Sequence, residues 1–119
     1  MAIPTTATTW ADTMDPSDLV DYTVDFANVL DVGESISTYT ITPLSESTLL
    51  GLTVNTTGGY SNSLVGSKIT MWLSIASANQ SDAAFSGAGT SLPIEVAIVT
   101  NSTPPRKRQR TVVVKVAQK

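Results

Sequence analysis

Leu92-Pro93-Ile94-Glu95-Val96-Ala97-Ile98-Val99-Thr100, a break at Asn101-Ser102-Thr103-Pro104-Pro105, and then Thr111-Val112-Val113-Val114-Lys115-Val116-Ala117 decide the class of this chain. Leu92, Ile94, Val96 and Ile98 alternate with Pro93, Glu95, Ala97 and Val99. Val112, Val114 and Val116 alternate with Val113, Lys115 and Ala117. Period-two alternation on both sides of a turn cluster predicts two antiparallel strands, each burying one face.

Working back from this hairpin, Lys68–Ile75 repeats the pattern. Ile69, Met71, Leu73 and Ile75 share one face, and Thr70, Trp72 and Ser74 the other. Trp72 therefore stands opposite the predicted core, covered by a partner or turned inward by a bulge. Leu19–Phe26 sets Val20, Tyr22, Val24 and Phe26 against Asp21, Thr23 and Asp25. A strand over about Ser35–Thr42 has Tyr39 and Ile41 in phase and Ile36 out of phase, the mark of a β-bulge. Pro43 ends it. A further strand is expected over Thr48–Asn55, with Leu50, Leu52 and Val54 inward. The Ser-, Ala- and Gly-rich residues 77–91 form a loop or a weak edge strand. About seven short antiparallel strands bounded by turn residues predict an all-β fold, an immunoglobulin-like β-sandwich. Residues 15–119 form one domain. Residues 1–14, Thr-rich and without periodicity, form a flexible N-terminal arm in which Trp10 is either an interface anchor or folded back onto its own domain.

The 119 residues include no Cys and no His. Disulfides and thiolate metal sites are thereby excluded, and the commonest metal ligand and neutral-pH general base are missing. No apolar run is long enough for a membrane helix, and no secretory signal pattern is present. The sequons at Asn55, Asn79 and Asn101 read as polar loop residues. Asp21 and Asp25 lie four residues apart on one strand face, roughly 13 Å at strand rise. That exceeds the separation of about 5–5.5 Å of a retaining glycosidase pair. Ser nucleophiles lack a base, and neither a calcium loop nor a phosphate-binding glycine loop is found. No cofactor, metal or small-molecule substrate is expected, and no enzymatic activity.

Charge is unevenly spread. Eight of ten acids lie between Asp12 and Glu46, and six of seven bases from Arg106 onward. The two ends either attract each other within one molecule or steer neighbouring copies together. Arg106, Arg108 and Arg110 alternate at strand period and line one side of an extended hairpin. They suit carboxylates of an adjacent chain, or serve as a charged tip that discourages edge pairing. Nucleic acid is disfavoured by the acidic balance and the lack of interleaved aromatics. The candidate protein-contact residues are Trp10, Asp21, Asp25, Trp72, Arg106, Arg108 and Arg110.

Three segments in order carry a family resemblance: Asp15-Pro16-Ser17-Asp18-Leu19-Val20-Asp21-Tyr22-Thr23-Val24-Asp25-Phe26, then Ile69-Thr70-Met71-Trp72-Leu73-Ser74, then the Ile94–Val116 hairpin. Over about residues 15–117 the chain resembles the small fiber-tail adaptor or neck proteins of tailed bacteriophages. The resemblance implies a non-enzymatic structural protein of the virion, assembled in the host cytoplasm. It would stand at the neck or tail in a ring of copies, connecting fibers or tail proteins to the head–tail connector. Two other readings keep the fold: a capsid decoration protein, and a carbohydrate- or cell-surface-binding module using Trp10, Tyr60, Trp72 and Phe85.

Overall fold

The structure, a computed structural model, describes residues 3–119. Eight strands form two sheets. They are β1 (Thr8–Thr9), β2 (Leu19–Asp25), β3 (Ile36–Pro43), β4 (Leu52–Val54), β5 (Ser63–Val65), β6 (Lys68–Ile75), β7 (Thr90–Thr100) and β8 (Lys107–Val116). One sheet runs β1-β8-β7-β3. In the other, β6 is central: β2 pairs along one edge, and β4 and β5 share the other edge in tandem. One short helix, α1 (Ser45–Leu49), links β3 to β4.

The two alternating stretches that set the class fold as read. β7 and β8 pair antiparallel from Thr90↔Val116 to Val99↔Lys107. Leu92 stands opposite Val114 and Ile94 opposite Val112, and these four are buried together with Val96, Ile98 and Val116 on the same face. The opposite sheet supplies Tyr22, Val24, Leu52, Ile69, Met71, Leu73 and Ile75 to the same core cluster. Burial of this apolar set is the main driving force of the fold, at roughly 25 cal/mol per Å² removed from water. Ile36 is also buried, and the β3–β7 register shifts between Ile36 and Thr38, the expected bulge.

Three expectations are corrected. The strand over Thr48–Asn55 begins only at Leu52, because Ser45–Leu49 coils into α1. The Ser47 hydroxyl donates to Pro93 O at 2.8 Å in a fully buried site, which pins the helix to β7. Gly51 then reverses the chain at φ +87°, where a Cβ would meet the Asn79 side chain. The alternation of Leu50, Leu52 and Val54 records the packing of a turn and a short strand, not one long strand.

The second correction concerns the arm, which does not stand free over its C-terminal half. Thr8 and Thr9 pair in parallel with Val112 and Val113, and Met14 bridges to Val116. The Met14 N–H donates to Lys115 O at 2.9 Å, and Ala117 N–H donates to Met14 O at 3.0 Å. Odd-numbered residues of β8 turn their main-chain groups away from β7, so the arm finds a ready ladder there. One of the eight strands is accordingly parallel.

The third correction is Trp72. No bulge turns it inward: it stays on the outer face, where Tyr60, from the loop before β5, packs edge-on against it at 5.3 Å and 71°.

Candidate interaction surfaces

The seven candidate residues fall in three places. Asp21 and Trp72 are cross-strand partners on the outer face of the β2–β6 sheet. Asp21 is exposed and Trp72 half-buried under Tyr60. Asn55 reinforces this face by donating to Trp72 O and to Ser74 Oγ, both at 3.1 Å.

Trp10, Asp25 and Arg110 come together around a cleft of about 690 Å³ at the edge where the sheets part. Its walls are the arm from Pro4 to Trp10, the end of β2 with Asn28 and Val29, and Gln109 to Val112 of β8. Trp10 spans the gap. Its backbone N–H donates to Val113 O of one sheet, and its indole N–H to Thr23 O of the other, each at 3.0 Å. The indole stacks on Tyr22 at 4.6 Å and 29°. Tyr22 OH in turn donates to Asp12 O at 3.0 Å, and burial, followed by the nearby Asp12 and Asp18 carboxylates, pushes its pKa up to about 12. Asp25 accepts from Ser67 Oγ at 2.6 Å and from Ala27 N–H at 2.9 Å, which hold its carboxyl below the ordinary range.

The third place is the arginine row. The ladder sets Arg108 opposite Ile98 and Arg110 opposite Val96, so the row continues the core face of β8 past the end of the apolar cluster. Arg106 is committed within its own chain. It grips Glu34 through Nε at 3.0 Å and Nη2 at 2.6 Å, donates to Val29 O at 3.0 Å, and lies 3.5 Å from Asp31. This bidentate contact holds the Glu34 carboxyl well below the usual carboxylate range and keeps the guanidinium charged. The basic tail and the acidic segment thus attract each other inside one molecule at this point. Arg108 and Arg110 have no carboxylate within ion-pair distance among the described residues. The Arg110 guanidinium donates instead to its neighbour, Gln109 O, at 2.7 Å.

Sequence reasoning missed Glu34, Tyr22 and Tyr60 as partners of candidate residues. The charge split pointed towards Glu34, one of the acids of the early segment. Phe85, one of four aromatics offered for sugar stacking, is fully buried in the core. Trp10 and Trp72 are each packed against a tyrosine. Among the described residues no group of three acids could hold a metal ion, and no helix is long and apolar enough to cross a membrane.

No curated protein and no solved structure matches the chain. The family model of the podophage GP4 fiber-tail adaptor protein gp77 matches residues 14–115, starting at the buried Met14 and ending one residue before the close of β8. The chain belongs to this fiber-tail adaptor family, whose members are structural proteins of the phage tail.

Proposed function

We propose that the chain acts at the neck or tail of a podophage particle, in a ring of copies, and joins fibers or tail proteins to the head–tail connector. The observation that carries the reading is the extent of the family match, which takes in β2 to β8 but for the last residue of β8, and every buried residue of the core cluster except Val116. The site geometry supports a protein partner over a small ligand. It presents Arg108 and Arg110, with no carboxylate in ion-pair distance among the described residues, and an acidic outer face, suited to charged neighbours. Pairing of β1 in parallel with the last strand, and the orders β2-β6-β4 and β8-β7-β3, support an immunoglobulin-like assignment of the sandwich.

The test is immunogold electron microscopy of purified particles with antibody to this chain. Gold confined to the neck or tail is the expected result. Gold over the capsid, or particles that lack the chain, would overturn the reading.

A further inference from the structure

Open sheet edges invite other strands, and proteins guard them with charge, cover or short length. In this molecule most edges are guarded. β8 is covered by β1 and Met14 along its later half, and near its start Lys107 flanks Gln109 O, which is capped by Arg110. β2 carries Asp21 and Asp25, and the Trp10 indole occupies Thr23 O. β4 and β5 are three residues each. β3 differs: it is eight residues long, lies at the end of its sheet, and no charge occurs from Ser35 to Ser45.

The ladder phase shows what β3 presents. Thr100 N–H donates to Arg106 O, so even-numbered residues of β7 bond to β8 and odd-numbered ones to β3. Leu44 N–H on Pro93 O agrees. Thr38, Thr40 and Thr42, opposite Val99, Ala97 and Glu95, therefore use their main-chain groups inward. The N–H and C=O of Tyr39 and Ile41 point out from the edge, without a partner among the described residues.

We propose that β3 is a self-pairing edge, and that a second copy of this chain adds its own β3 antiparallel about a two-fold axis at Thr40. In this register Tyr39 of each copy exchanges both main-chain bonds with Ile41 of the other. Aromatic and β-branched side chains then meet on the core-facing side, and Thr40 meets Thr40 on the outer side, a favourable combination. Ser37 N–H reaches Pro43 O, and the missing proline N–H leaves only Ser37 O without a donor, at the end of the pair. A pair centred on Tyr39 would run into the bulge before Thr38. One centred on Ile41 would set Tyr39 against Pro43, which cannot donate. The bulge and the proline thus select one register. An uncharged strand meets its own copy without repulsion. The pairing goes beyond the proposed function and does not depend on it, because it is read in the purified protein.

The chain has no cysteine, so single thiols test the register cleanly. Thr40 sits at a non-hydrogen-bonded position of the two-fold pair, where Cα atoms stand about 4.5 Å apart. A disulfide spans about 4.4–6.8 Å. Under a glutathione redox buffer, Thr40→Cys is expected to form a covalent dimer. Thr38→Cys and Thr42→Cys are expected to cross-link with each other and not with themselves. In sedimentation equilibrium the wild type is expected to dimerise, Thr40→Lys to be monomeric, and a mixture of Thr40→Lys with Thr40→Glu to dimerise again. All three threonine positions are exposed, so folding survives these changes. Equal cross-linking of all three thiol variants, or a wild type that stays monomeric, would overturn the proposal. So would a monomeric wild type whose Thr40→Lys variant fails to enter particles, which would give the edge to another virion protein.

Discussion

Met14→Ala tests whether the arm belongs to the fold. Met14 is fully buried within the core cluster, and its main chain is bonded on both sides to the end of β8. Alanine keeps those backbone bonds and removes three heavy atoms. Their transfer out of the core is worth about 2 kcal/mol at roughly 0.8 kcal/mol per methylene-sized group. With the cavity left behind, buried Met→Ala changes fall in a range of about 2–5 kcal/mol. A loss of about 3 kcal/mol is expected here. For a domain of this size that lowers Tm by about 12 °C, at about 4 °C per kcal/mol. The assay is urea unfolding followed by circular dichroism, with calorimetry for Tm. The comparison is a chain lacking residues 1–7, which removes no strand residue and no buried side chain among the described residues. That truncation is expected to leave stability within about 0.5 kcal/mol, as for exposed surface changes. If Met14→Ala costs no more than the truncation, the arm is not docked in solution and the parallel β1 pairing is wrong.

Gly89→Ala is expected to abolish soluble folded protein, since its Cβ would collide with the Val116 carbonyl oxygen at a φ of +76°; normal yield and Tm would refute this. Ser47→Ala removes the buried hydroxyl that anchors α1 and is expected to cost about 1 kcal/mol in urea unfolding, because Pro93 O keeps the Leu44 N–H. Glu34 has a folded pKa depressed below its ordinary 4.5, so its contribution is complete above that pH and is lost as pH falls below it. Glu34→Gln is therefore expected to lower stability at neutral pH and to flatten the acid limb; an unchanged acid limb would show that the Arg106 clamp is not formed. Reversal of Arg108 and Arg110 to Glu is expected to preserve Tm and reduce incorporation into particles, whereas Arg106→Glu lowers Tm by facing Glu34 and Asp31; equal Tm losses would contradict the separation of roles.

Local patterns in the sequence were legible wherever a single period ran long enough. β6 and β7 have burial that follows the alternation closely, and the phase slip at Ile36 revealed its bulge. What stayed hidden depends on partners far apart in the chain. Met14 meets Val116, and Arg106 meets Glu34 across 72 positions, with no local mark of either pairing. α1 was masked because its anchoring bond, Ser47 to Pro93, spans 46 positions, while Leu50, Leu52 and Val54 imitate a strand. The candidate residues were visible as chemistry, three guanidiniums and two lone indoles. Which of them were already engaged by Glu34, Tyr22 and Tyr60 was a matter of tertiary geometry.

The two tryptophans, each against a tyrosine, have a practical consequence. They are the only two indoles in the chain and stand on separate surfaces, Trp10 at the sheet edge and Trp72 on the outer face. Variants retaining one indole apiece turn them into independent optical gauges. The emission of Trp10 follows undocking of the arm, and that of Trp72 follows contact made on the outer face. The order in which this adaptor's surfaces engage can then be timed without attaching a dye.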